Sequence, residues 1–420
     1  MVEKDGDVVS RRLVWGAVLL LVLSLLVGYG SAFTNAVTGG TEFRFKELGT
    51  VIDVIALVST RHYFQPVSTM ELIKGYVASG TINGMLSRAL DDPYTRHMDP
   101  AAYENMINNT TGVYGGIGIV VGMQEEGLTV VAPIKGTPGE RAGLRPNDRI
   151  IAIDGKETTF MTLDEAVSIM RGEENTPIDL TIRRGEEVLE VHIIRELINV
   201  ESVTEAEIID SEYGIGYIQI TNFSDRTYVE LVEALENLDN QGMRALILDL
   251  RNNPGGTLNA ALLVADEFVK DAPLVYLEDR DGNRLPFMAE AAGTREPIPI
   301  VVLINGSSAS ASEIVAGALR DNDLAVLVGT TTFGKGLVQS LYPLRDGSAL
   351  TITEQGYLTS GGHNINGEGI TPDIVVEVTP EEEEAIYLGT AEYDAQLEKG
   401  LEVLRRQLEA NYVFNILARA

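Results

Sequence analysis

The chain has 420 residues, no cysteine, and a formal charge of −30 from 62 acidic and 32 basic residues. Without cysteine there is neither a disulfide framework nor thiol chemistry. The acidity argues against nucleic acid or an anionic membrane surface as partner, and the length suffices for two or three domains with ordinary apolar cores.

Residues 1–35 read as a flank and a membrane segment. From Leu13 to Phe33 there is no charged residue, and the run from Leu13 through Val27 is apolar enough to cross about 30 Å of hydrocarbon as a helix. Lys4, Arg11 and Arg12 precede it, with Glu3, Asp5 and Asp7 on the same flank. The positive-inside rule then predicts a cytoplasmic N-terminus and an extracytoplasmic remainder. Gly30-Ser31-Ala32 would suit a cleavage site, so the alternative to an anchor is a cleaved signal peptide and a secreted or periplasmic protein.

Residues 36–112 read as helical, with Met70, Ile73 and Val77 at helical spacing and a turn at Asp91-Asp92-Pro93. A β-rich module follows over 113–196. Tyr114-Gly115-Gly116-Ile117-Gly118-Ile119-Val120-Val121 leads into a strand, and the segments Leu128 to Ile134 and Ala142 to Gly155 continue the module. Thr162 and Glu165 form a capping box for a helix with Leu163, Ala166, Val167 and Met170 on one face. Residues 197–380 alternate helical patterns with buried-strand candidates at Gly216–Ile220, Ala245–Leu250, Ile300–Ile304 and Ala325–Val328, an α/β core. Over 381–420 the acidic run after Thr379-Pro380 reads as the first turn of a C-terminal helix. Its Leu397, Leu401, Leu404 and Leu408 form a stripe for the core or for a partner subunit.

The chemistry concentrates in the core. Asn305-Gly306-Ser307-Ser308-Ala309-Ser310-Ala311-Ser312-Glu313 lies between a strand and an amphipathic helix, so Ser310 sits at a strand-to-helix turn. There the unpaired amides of the helix start would face an oxyanion. Lys335, in Phe333-Gly334-Lys335-Gly336, is a candidate base. It works only as a neutral amine, which requires a pKa lowered by desolvation towards about 7–8. A Ser-Lys dyad needs none of His62, His97, His192 or His363. Gly329 to Lys335 also fits the phosphate-loop pattern G-x-x-x-x-G-K. The next residue, however, is Gly336 where magnesium binding needs Ser or Thr, and Leu337 to Leu344 reads as a strand where a helix is required.

These motifs resemble the catalytic segments of the C-terminal processing peptidases, the tail-specific serine proteases, over roughly residues 45 to 380. The resemblance implies Ser310 as nucleophile, Lys335 as base and Gln339 as the residue orienting the lysine. It also implies an oxyanion hole from the amides of Ala311 and Gly255 or Gly256, in Asp249-Leu250-Arg251-Asn252-Asn253-Pro254-Gly255-Gly256. Gly84-Met85-Leu86 and Leu90 to Thr95 resemble the family's helical lead-in, the core resembles a crotonase-like superhelix, and Glu354 to His363 follows the family pattern only loosely. Residues 113–196 resemble a PDZ domain, in which Gly115, Gly116, Ile117 and Gly118 would hold a peptide terminus. Arg171, at the end of the module's helix, would report occupancy to the core or be a solvated arginine favoured by the helix dipole.

The expected function is endoproteolysis of exported or membrane proteins near free, apolar C-termini, with no cofactor and no metal. A homo-oligomer or an activating partner is left open. Two other readings compete: a membrane-anchored PDZ scaffold that binds tails without cleaving, and a crotonase-type acyl enzyme.

Overall fold

A computed structural model describes residues 41–124, 127–290 and 295–419. The segment Leu13 to Phe33, read as a membrane helix, lies outside the described residues. Among the described residues no helix is long and apolar enough to cross a membrane.

The core sheet has six strands in the order Val203–Asp210, Ile215–Ile220, Ala245–Asp249, Ile300–Ile304, Ala325–Gly329 and Ile374–Val375. The first pair is antiparallel and the rest are parallel. Alternate side chains face opposite layers, as the two-residue strand period requires. Leu246 and Leu248 meet the helices Thr227–Asn240, Leu258–Asp266 and Ala311–Asp321, while Ala245 and Ile247 meet the C-terminal helix. The predicted leucine stripe packs on the core: Leu401 and Leu404 are buried, with Leu397 and Leu408 beside them. Each fully buried leucine contributes about 1.5–3 kcal/mol.

The C-terminal segment forms two helices where one was expected. Pro380–Tyr387 starts on a Thr379–Glu382 capping box. It ends at Leu388, followed by Gly389 with φ 65°. Asp394 then accepts the N–H groups of Gln396 and Leu397 at 3.0 Å each, starting the second helix, Ala395–Arg419.

A second, antiparallel sheet contains Arg96–Met98, Ala349–Thr359, Pro273–Glu278 and Arg284–Met288, with Leu337–Pro343 on the other side of Ala349–Thr359. The strand Arg96–Met98 corrects the reading of residues 36–112 as helical. The buried Asp92 accepts the Thr95 hydroxyl at 2.6 Å, and Thr95 accepts the Thr353 N–H at 3.0 Å, which aligns the chain with the sheet. The lead-in helices Thr41–Arg61, Thr69–Ser79 and Ile82–Ala89 pack on Leu350 and Ile352 of this same sheet.

The third body is a sheet ordered Ile119–Gln124, Gly127–Pro133, Arg149–Ile153, Pro177–Arg184, Glu187–Ile194, with Lys156–Glu157 paired to Arg149–Ile153. Its helix Leu163–Met170 begins on the predicted Thr162–Glu165 capping box, with Ala166 and Met170 in the module's own core. The chain enters and leaves this module as an antiparallel pair, Val113–Gly116 with Glu196–Asn199.

Candidate active site

The buried strand Ile300–Ile304 runs into a tight loop that ends at the helix Ala311–Asp321. Ser310 occupies the junction with φ 55° and ψ −112°, a conformation that non-glycine residues rarely adopt. Four serines stand close together here, and the hydroxyls of the last three differ. Ser308 donates to the Leu250 carbonyl at 2.8 Å and Ser312 to the Asn253 carbonyl at 2.9 Å, and both are buried. The Ser310 hydroxyl donates to neither of these carbonyls, and this residue lines a cavity of about 1360 Å³. Two serines therefore build the loop and the middle one is presented.

The loop before the helix Leu258–Asp266 supports it from below. Asn305 Oδ1 accepts the Asn252 N–H, and Asn305 Nδ2 donates to Asn252 Oδ1, both at 2.9 Å. Asn253 Nδ2 donates to the Ile220 carbonyl at 2.8 Å. Gly255 has φ 102°, and a Cβ there would meet the Ala309 carbonyl at 2.7 Å and Ser310 Cβ at 2.8 Å, so only glycine fits beside the serine. Its N–H donates to Asn253 Oδ1 at 2.9 Å. Among the described residues the N–H groups of Gly256 and Ala311 have no acceptor. Arg251 anchors the loop's start: its guanidinium is bound to the fully buried Asp249 at 2.6 Å and to Asp394 at 2.8 Å.

Lys335 lines the same cavity. Burial pushes its pKa below the usual lysine value, the nearby Arg96 pushes the same way, and Glu313 and Asp92 partly oppose them. Its ammonium lies over the Tyr94 ring, 4.9 Å from the centroid. No hydrogen bond joins it to Ser310. Gln339 also lines the cavity, at a bulge in Leu337–Pro343, and its Nε2 is buried without a partner.

Sequence reasoning assigned no role to Glu313, which is fully buried in the first turn of the helix. Its carboxylate accepts the N–H of Ser310 at 2.8 Å, of Gly334 at 2.7 Å and of Lys335 at 3.0 Å, and the Thr332 hydroxyl at 2.6 Å. One side chain thus ties the serine's backbone to the lysine's. Tyr94, Arg96 and Tyr357 were missed as well. The Tyr357 hydroxyl donates to the Ser310 carbonyl at 3.2 Å, and burial raises its pKa well above the usual tyrosine value.

The peptide-binding candidates divide. Gly115 and Gly116 lie in the strand paired with Glu196–Asn199, and a Cβ on Gly115 would meet the Gly172 carbonyl at 2.0 Å. Ile117 and Gly118 lie in the loop before Ile119–Gln124, an edge strand. Their carbonyls are held by the Gly139 N–H at 2.7 Å and the Ile134 N–H at 2.9 Å. Arg171 points at the helix Pro100–Thr111, where it donates to Asn105 Oδ1, and its guanidinium stacks over Tyr114 at 4.8 Å. Arg171 and Ser310 line the same cavity. The strand Leu337–Pro343 after Lys335 is not a helix, which removes the phosphate-loop reading.

Residues 214–376 match peptidase family S41, and residues 129–184 match the PDZ domain. The chain is 45% identical over 296 residues to the carboxyl-terminal-processing protease of Synechocystis sp., covering 69% of this chain and 68% of that one. It is 39% identical over 366 residues to the carboxy-terminal-processing protease of Bartonella bacilliformis, covering 86% and 81%. A solved structure of a photosystem II D1 C-terminal processing protease is similar with a TM-score of 0.50 and 28% identity, over 78% of this chain and 92% of that one. The chain therefore belongs to the carboxyl-terminal-processing proteases of peptidase family S41, which are serine peptidases.

Proposed function

We propose that the chain is a Ser-Lys endopeptidase that cuts polypeptides near a free, apolar C-terminus after capturing that terminus on its PDZ domain. The observation that carries this reading is Ser310, whose hydroxyl is not spent on a loop carbonyl as those of Ser308 and Ser312 are, lining a cavity together with a lysine whose charged form burial disfavours. Neutral Lys335 takes the Ser310 proton as Oγ attacks the peptide carbonyl carbon. The resulting oxyanion is held by the N–H groups of Ala311 and Gly256, the Gly255 N–H being engaged by Asn253. Protonated Lys335 gives its proton to the leaving amine, and water then releases the acyl-enzyme.

Exchanging the amide oxygen and nitrogen of Gln339 would put an acceptor at its buried, unpartnered position, where it would orient the lysine amine. The lack of a Ser310–Lys335 hydrogen bond fits a resting form that substrate aligns. The tail would add to the open edge of Ile119–Gln124, with its carboxylate at the Ile117–Gly118 loop. The charge pattern of residues 1–35 favours a membrane anchor with the catalytic part outside the cytoplasm.

The test is cleavage of an unstructured protein with a free apolar C-terminus by the full chain in mild detergent. Ser310→Ala and an amidated tail serve as controls. Both controls should abolish cleavage; equal processing by parent and Ser310→Ala would exclude the mechanism.

A further inference from the structure

The cavity shared by Ser310 and Lys335 is charged against the trend of the chain. On a protein of net charge −30, its described lining carries Arg96, Arg171 and Lys335 but one carboxylate, Asp99. Asp99 is occupied as a helix cap, accepting the Ala102 N–H at 2.8 Å. Neither Arg96 nor Arg171 forms an ion pair among the described residues, whereas Arg184, Arg251 and Arg405 do.

Much of the remaining polar lining is amide: Asn83, Asn105, Asn108, Asn109 and Asn222. The helix Pro100–Thr111 has no buried residue. Its Ala102, Asn105, Met106 and Asn109 share one face by helical spacing, and all four line the cavity. Amides offer donors and acceptors that match a peptide backbone of any sequence. The guanidinium groups, with no carboxylate of their own, discriminate by charge.

We infer that this chamber holds the extended stretch of substrate between the captured tail and the scissile bond, and that it selects acidic or uncharged residues there and rejects lysine and arginine. The inference rests on the peptidase reading above for the identity of its occupant. An acidic side chain would supply the counter-charge that Arg96 and Arg171 lack, whereas a basic one would add a further cation to a partly desolvated space. The chamber's continuity with Ser310 at one wall and with Arg171 and Tyr114 at another makes substrate polypeptide the occupant.

The experiment uses the full chain and three unstructured substrates with the same apolar tail and cleavage site. The three-residue stretch between them carries Glu, Gln or Lys. kcat/KM should fall in that order, with Glu about tenfold above Lys at low salt and the ratio shrinking towards one at about 1 M salt. Arg96→Gln with Arg171→Gln should flatten the ratio and Arg96→Lys should keep it; because substrates are compared on one enzyme, any change in Lys335 basicity cancels. Binding of the same three substrates to Ser310→Ala, read by fluorescence anisotropy, separates this inference from the peptidase reading. If nothing is cleaved but Glu binds more tightly than Lys, the charge selection stands and the peptidase reading falls. Equal kcat/KM for Glu and Lys, a preference for Lys, or equal binding where nothing is cleaved would overturn the inference.

Discussion

The two walls of the cavity are built by opposite means. On the core side, every residue from Ala311 to Leu319 is buried, and the loops bearing Ser310 and Lys335 are tied through one buried carboxylate. On the far side, the helix Pro100–Thr111 buries nothing, and besides its direct continuation into Val113–Gly116 it meets the PDZ domain through Arg171 at Asn105. On the proposed mechanism the core wall fixes the reacting atoms, whose misplacement by about 1 Å can cost a factor of 10² in rate. The far wall offers surface to a flexible chain, for which complementarity matters more than rigidity. Substitutions on the core wall should therefore cost stability and rate together, and those on the far wall should alter substrate binding at little cost in stability.

Glu313→Ala should give the largest effect. It leaves three N–H groups and the Thr332 hydroxyl without their acceptor, at about 1–3 kcal/mol for each group that stays dry. Urea unfolding should show a loss of at least about 3 kcal/mol, and kcat should fall by about 100-fold or more. A variant with parent stability would mean that the serine and lysine loops hold themselves and that Glu313 is no hub.

Arg251→Met tests the same wall one layer deeper. It strands Asp249, fully buried, with only the Tyr217 hydroxyl and the local backbone as partners. The expected cost is about 3–5 kcal/mol in chemical denaturation, with weakened catalysis because Asn252 to Gly256 lose their anchor. Adding Asp249→Leu should return part of the stability, as removing both ions is cheaper than orphaning one. No recovery would indicate that the pair acts through the backbone of the loop rather than through its charges.

Lys335→Met separates function from stability on this wall. The folded-state pKa of Lys335 lies below its ordinary value of 10.5, so between the two values the unfolded chain binds more protons, and stability rises with pH through that window. At neutral pH the penalty of burying the ammonium is present, and methionine removes it. Cleavage should vanish while the melting temperature rises by about 2 °C. A drop in melting temperature would show that the Tyr94 contact outweighs desolvation.

The unequal legibility of the two walls follows the same physics. The position of Ser310 at the start of a helix could be read because a strand-to-helix turn with small residues is a local pattern. The leucine stripe and the Thr162 cap are likewise local, and the structure has both. Glu313 was in view, yet an acid in a first helical turn already has a local explanation in the helix dipole. Its partners Thr332, Gly334 and Lys335 lie about twenty residues on and meet it only in the fold. Tyr94 and Arg96 reach Lys335 because a three-residue strand joins a sheet across some 250 positions of sequence, too short a segment to announce itself by periodicity. Gly115 and Gly116 show the reverse problem, since a glycine pair suits carboxylate capture and close backbone packing equally well, and the approach of Gly172 to Gly115 supplies the second.

Arg171→Ala should be the mildest change and the most discriminating for the far wall. The guanidinium contributes a cation–π contact with Tyr114 at 4.8 Å and an exposed hydrogen bond to Asn105, together worth about 0.5–1 kcal/mol in unfolding. A loss above about 2 kcal/mol would put this wall in the same class as the core wall and end the contrast. Kinetics distinguish the two possible roles of the side chain more sharply than stability does. If Arg171 only meets substrate, KM rises with kcat unchanged, the signature of binding equal in ground and transition states. If Arg171 instead relays tail capture to the catalytic groups, kcat falls even with saturating substrate, because the population with Ser310 and Lys335 aligned shrinks. The contact with Asn105, which belongs to a wall of the cavity and not to the loops of Ser310 or Lys335, favours the first outcome.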